Sequence, residues 1–199
     1  MKILLTGFDP FGGQTINPAW EAVKRVNAPA GAELIKLEVP TVFGLSVETV
    51  REALLRERPD AVVCVGQAGG RNAVTPERVA INVDDARIAD NAGNRPVDVP
   101  VDPDGPAALF STLPIKAMVQ AIQDAGINAQ ISNSAGTFVC NHLMYGVLRT
   151  LQRELPCTIG GFIHVPCIPE QCADRPDAPS MPLDDIVKAL EAALSVLVG

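Results

Sequence analysis

The stretch Leu45-Ser-Val-Glu-Thr-Val-Arg-Glu-Ala-Leu-Leu-Arg-Glu-Arg58, then Pro59-Asp60, then Ala61-Val-Val-Cys-Val65, decides the fold class. In its first part Leu45, Val47, Val50, Leu54 and Leu55 make most of one apolar face at helical spacing, and Pro59 stops the helix. The second part is apolar without interruption. Such a strand is buried on both faces, as in parallel sheets covered by helices. Upstream, Ile3–Thr6 reads as a strand that ends at Gly7, Pro18–Val26 as a helix capped by Asn17, and Glu33–Val39 as a strand ended by Pro40. Downstream, Arg78–Val83, Asn128–Ser132 and Cys157–Val165 read as strands. Ile115–Asp124, Asn141–Leu155 and Leu183–Val198 read as helices. Residues 84–114 are rich in Asp, Pro, Gly and Asn without periodicity, the mark of a functional or mobile loop. The alternation predicts an α/β fold: one domain over 1–199, with a twisted, mostly parallel (mixed) sheet and helices on both faces. Ligands in such folds bind beyond the carboxyl ends of the strands.

Composition narrows the function. At 199 residues, 47% hydrophobic and 20% charged, the chain can bury a core. A net charge of −7 argues against nucleic acid or an anionic membrane surface as partner. No apolar run approaches the ~20 residues of a membrane span. Five cysteines without a secretory leader point to reduced thiols in the cytoplasm. There is no CxxC and no HExxH, so no metal is expected.

Two glycine-rich turns, Gly7–Gly13 and Gly66–Arg71, follow strands. The first misses a P-loop because Gly13 and Gln14 stand where Lys and Ser or Thr are needed. Phe8 and Phe11, two of six phenylalanines, sit in that first turn and suggest a small apolar pocket. In Ile131-Ser-Asn-Ser-Ala-Gly-Thr-Phe-Val-Cys140 a strand gives way to a turn, and Cys140 stands at the head of a helix. The helix dipole there favours a thiolate, and free N–H groups could hold an oxyanion. His142 lies roughly 200° around the helix from Cys140 and is expected to be solvated or capping. Cys64, mid-strand among valines, reads as core. His164 ends a strand at the sheet edge and is the better base, with Glu77 a well-placed carboxylate to orient it. The residues alone also allow a phosphate-binding protein such as a nucleoside phosphorylase, or a non-enzymatic thiol module.

Several segments resemble those of the pyroglutamyl-peptidase I (pyrrolidone-carboxylate peptidase) family. Gly66–Asn82 resembles its glutamate signature, Ser132–Asn141 its cysteine signature, and Phe162-Ile-His164-Val-Pro its histidine segment. Thr6–Gly13 and Asp84–Asn91 are also similar to family segments, so the match runs nearly end to end. The resemblance implies a cysteine exopeptidase that removes N-terminal pyroglutamate (5-oxoproline) through an acyl-enzyme. Glu77, Cys140 and His164 match the catalytic positions. Phe8, Phe11, Asn17, Gln67, Phe138 and Val139 match positions that line the pyroglutamate pocket. The family further implies a homotetramer without cofactors. An uncharged pocket would reject ordinary N-termini, since burying an ammonium is costly. A Cys140–His164 ion pair would give activity a rising and a falling limb with pH.

Overall fold

The computed structural model describes residues 1–175 and 177–199. Five strands form the main sheet: β1 (Lys2–Phe8), β2 (Glu33–Val39), β3 (Ala61–Gln67), β4 (Thr75–Pro76) and β7 (Ile159–Val165), in the order β2-β1-β3-β7-β4. The first four in that order are parallel, and β4 closes the edge antiparallel to β7. A separate hairpin pairs β5 (Val79–Ile81) with β6 (Ala108–Phe110). The fold is the α/β arrangement expected, with a largely parallel sheet.

The uninterrupted apolar run at the centre behaves as read. Ala61, Val63 and Val65 of β3 join a core on one face, and Val62 and Cys64 join a core on the other. The first face is covered by α1 (Pro18–Arg25), α3 (Ile115–Asp124) and α5 (Leu183–Ser195). The second is covered by α2 (Leu45–Glu57) and α4 (Val139–Glu154). Local signals set the ends. Asn17 caps α1 by accepting the Ala19 N–H at 3.0 Å, with Pro18 next in line. Arg58 ends α2 in a left-handed conformation just before Pro59.

Three sequence expectations change. Residues 128–132 form no strand. They touch the sheet edge only through the single bridges Val74↔Ala129 and Glu77↔Ser132. The region read as the strand Arg78–Val83 shrinks to β5, which leaves the main sheet to pair with β6. β6 itself lies inside the stretch read as loop. No helix among the described residues is long and apolar enough to cross a membrane.

Candidate active site

The carboxyl ends of β3 and β7 lie side by side, with Gly66 opposite His164 in the parallel register. Their side-chain positions therefore share one face of the sheet. A Cβ on Gly66 would lie 3.0 Å from the Cys140 Sγ and 2.7 Å from the Phe162 Cζ. The missing side chain makes the space in which the thiol rests, at the strand position paired with His164. Phe162 is fully buried beneath, worth ~1.5–3 kcal/mol of burial, and packs on His164 with ring centroids 4.8 Å apart.

Cys140 is the second residue of α4. The turn before it passes through Gly136 at φ 80°, a left-handed conformation that glycine adopts without strain. The N-cap, Phe138, makes no side-chain cap. The first-turn N–H groups of α4 thus point beyond the helix without a capping oxygen. They can serve as donors to an oxyanion.

Glu77 follows β4 and is fully buried. Its N–H donates to the Phe162 carbonyl at 2.8 Å, pinning it against β7. Its Oε1 lies 2.7 Å from His164 Nδ1 and accepts from Arg71 Nη1, also at 2.7 Å. Burial works to raise the Glu77 pKa, but hydrogen bonding and charge from His164, with Ser132 and Arg71, hold it below the usual carboxylate range. A carboxylate only accepts, so His164 carries its proton on Nδ1 and leaves Nε2 as the free acceptor.

Burial lowers the His164 pKa, opposed by Glu77. The Cys140 thiol is pushed up to about 12, first by burial and then by the Glu77 charge, with the Arg71 cation opposing. Burial thus works against the helix dipole and favours the neutral forms of both groups, a thiol and an uncharged imidazole.

A cavity of about 860 Å³ opens over these groups. Cys140 and His164 line it, together with Phe11, Gln67, Phe138 and Arg71. Phe11 and Phe138 lie against each other at 6.2 Å between centroids. Three other expected pocket residues sit behind the wall. Phe8 is buried against Phe162 at 6.3 Å, supporting the floor beneath Gly66. Asn17 is buried, and its amide is engaged by the Ala19 N–H and the Asp9 carbonyl. Val139 is fully buried in the α4 core.

Sequence reasoning missed the charged part of the wall, and the pocket is not uncharged. Arg71, Arg87 and Asp85 all line it. Arg71 was legible only as the cation that closes the Gly69-Gly70 turn. Of the two roles expected for His142, solvated or capping, burial excludes the first, and its contact with Gly44, the N-cap of α2, fits the second. Its Nδ1 lies 2.7 Å from Asp84 Oδ2, and its Nε2 accepts the Gly44 N–H at 2.9 Å. A backbone N–H only donates, so this imidazole is neutral with its proton toward Asp84. It ties α4 to the start of α2 and to the loop after β5. Cys64 is core as expected, its pKa pushed up to about 12 by burial. No group of three or more His, Cys, Asp or Glu among the described residues could hold a metal ion.

A family model described as pyroglutamyl peptidase matches residues 1–198. The chain belongs to the pyroglutamyl peptidase family. Pyrrolidone-carboxylate peptidases of Clostridium botulinum and Levilactobacillus brevis are each 57% identical to it over all 199 residues, covering 93% and 98% of those proteins. The crystal structure of Bacillus amyloliquefaciens pyroglutamyl peptidase I superposes with a TM-score of 0.94 at 54% identity, over 98% of this chain and 95% of that one. A mutant pyrrolidone carboxyl peptidase from Pyrococcus furiosus gives 0.95 at 40% identity, over 100% and 98%. Membership of this family of cysteine peptidases agrees with a cysteine and a histidine lining one cavity.

Proposed function

We propose that this chain is a cysteine exopeptidase that hydrolyses the bond after an N-terminal pyroglutamate through Cys140, His164 and Glu77. The observation that carries the reading is the 2.7 Å Glu77–His164 contact beside a thiol that lines the same cavity. Because the pair rests neutral, proton transfer accompanies attack. The Cys140 sulfur adds to the carbonyl carbon while its proton passes to His164 Nε2. The oxyanion is held by N–H groups of the first turn of α4. His164 then gives that proton to the leaving amine, the C–N bond breaks, and a thioester remains on Cys140. Water adds to the thioester as His164 takes its proton, and pyroglutamate and free thiol are regenerated. Glu77 stays ionised throughout and stabilises the imidazolium as it forms.

Recognition of the lactam ring is assigned to Phe11 and Phe138 for its apolar body and to Gln67 for its polar edge. Phe8, Asn17 and Val139 act behind the wall as support for these residues. With Arg71 paired to Glu77, the wall sets one arginine, Arg87, against one aspartate, Asp85, and offers no net negative charge to hold a free N-terminal ammonium. We also assign the chain to one domain over 1–199, to the cytoplasm and to a homotetramer. The supports are its five free cysteines and exposed apolar side chains such as Val97 and Phe110, suited to subunit contacts. Chromophore release from pyroglutamyl p-nitroanilide tests the reading against prolyl p-nitroanilide. The wild type is expected to cleave the first only, and Cys140→Ser or thiol alkylation to abolish it. Activity that survives Cys140→Ser contradicts it.

A further inference from the structure

Gln67 does not stand alone in the cavity wall. Its Nε2 donates to the Cys167 Sγ at 3.0 Å and to Gln171 Oε1 at 3.3 Å. Its Oε1 accepts from Gln171 Nε2 at 3.3 Å. The two carboxamides thus form a reciprocal pair, each donating to and accepting from the other. Gln171 lies in the short 3-10 helix Pro169–Cys172 and makes two further bonds, both to the backbone. Its Oε1 accepts the Ile168 N–H at 3.2 Å, and its Nε2 donates to the Ile16 carbonyl at 3.4 Å.

These two backbone contacts cannot be exchanged. A peptide N–H only donates and a peptide carbonyl only accepts, so a flipped Gln171 would meet donor with donor and acceptor with acceptor. Gln171 is therefore oriented by the main chain, and through the reciprocal pair it orients Gln67. A primary amide offers two donor hydrogens and two acceptor lone pairs. Both donors of Gln67 are occupied, and so is one lone pair of Oε1. What remains for a ligand is a single acceptor site.

We propose that Gln171 is a positioning residue that locks the Gln67 carboxamide, so that the pocket presents an acceptor and selects a ring carrying an N–H donor. The proposal rests on the reading of Gln67 as a contact of the pyroglutamyl ring. Selection arises because a ring with oxygen in place of N–H would set a lone pair against the Oε1 lone pair, while the lock prevents Gln67 from turning its amide nitrogen inward.

The experiment compares pyroglutamyl p-nitroanilide with its lactone analogue, in which the ring N–H is replaced by oxygen. The readout is the ratio of their kcat/KM values in the wild type, Gln171→Met, Gln171→Glu and Gln67→Leu. The wild type should favour the lactam by about tenfold or more. In Gln171→Met the ratio should fall by about tenfold, through a higher KM for the lactam with kcat within about twofold. Gln171→Glu keeps the acceptor for the Ile168 N–H but has no donor for Gln67, so it should show the same fall even if Gln171→Met folds poorly. A ratio that holds in both Gln171 variants but collapses in Gln67→Leu overturns the positioning role and leaves the Gln67 contact standing. A ratio unchanged in Gln67→Leu overturns both. Equal losses on the two substrates in the Gln171 variants mark a purely structural role and also overturn the proposal.

Discussion

A Cβ on Gly66 would stand 3.0 Å from the Cys140 sulfur, so the resting place of the thiol is created by the absence of a side chain on the neighbouring strand. Gly66→Ala should force the sulfur or the Phe162 ring aside. Overpacking of this kind typically costs about 1–3 kcal/mol. We expect a lower unfolding midpoint and a fall in kcat of about tenfold or more, since small displacements of a reacting group are costly. Crystals or melts of Gly66→Ala with wild-type kcat would show that the thiol does not depend on this space.

Glu77 Oε1 accepts from both His164 and Arg71. Glu77→Gln keeps the shape but offers a nitrogen that can hold the wrong imidazole tautomer. We expect kcat to fall by about 10³- to 10⁴-fold with KM little changed, as loss of an orienting carboxylate does in triads of this logic. Steady-state kinetics on a pyroglutamyl amide decides it. Arg71→Met should have a smaller effect on kcat and should slow Cys140 alkylation, because the cation that favours the thiolate is lost.

The pH dependence follows from the neutral pair. His164 must be unprotonated to accept the thiol proton, and its pKa lies below the ordinary imidazole value. Activity should therefore rise as pH climbs through that lowered pKa and persist above neutrality, without the falling limb of an ion pair. Alkylation of Cys140 in the free protein should keep accelerating through pH 9, since its thiol is pushed up to about 12. A plateau in alkylation below pH 7 would show a resting thiolate instead. Stability has the matching sign. Glu77 and His164 both have lowered folded pKa values, so the folded state binds fewer protons than the unfolded chain. Folding free energy is then lost as pH falls from the ordinary imidazole range through the carboxylate range. Chemical melts between pH 7 and pH 4 measure it.

His142 and Asp84 form a second buried His–carboxylate pair at 2.7 Å that lies outside the cavity wall. His142→Leu leaves Asp84 buried without its partner, and its Oδ1 already lacks one. We expect destabilisation of about 1–3 kcal/mol, the cost of leaving a buried acceptor unsatisfied. Below the new melting temperature kcat should stay within a few-fold of wild type. A large loss of kcat in a folded variant would give His142 a part in the chemistry.

Much of this was legible in the chain. The run Ala61–Val65 and the helix before it identified the parallel sheet, because burial on both faces leaves a one-dimensional signature. Cys140 and His164 were legible because a helix start and a strand end are local events. What escaped depends on tertiary pairing. The antiparallel edge at Thr75–Pro76 carries a proline and spans only two residues, too short for any period. Phe8 looked reserved for a ligand, yet its ring supports Phe162 from below, and a sequence does not say which side of a sheet end an aromatic takes. Burial, which sets the thiol pKa against the helix dipole, is likewise invisible until the strands are assembled. So is the chain of hydrogen bonds from Ile168 through Gln171 to Gln67.

In the proposed reaction Cys140 carries the acyl group. Mixing the protein with a pyroglutamyl ester at low pH, quenching in acid within the first turnover and mapping the digest by mass spectrometry tests it directly. A pyroglutamyl thioester is expected on the peptide that contains Cys140, absent from Cys140→Ser and accumulating further in water-poor solvent. Full turnover with no adduct at Cys140, or an adduct on another residue, would contradict it.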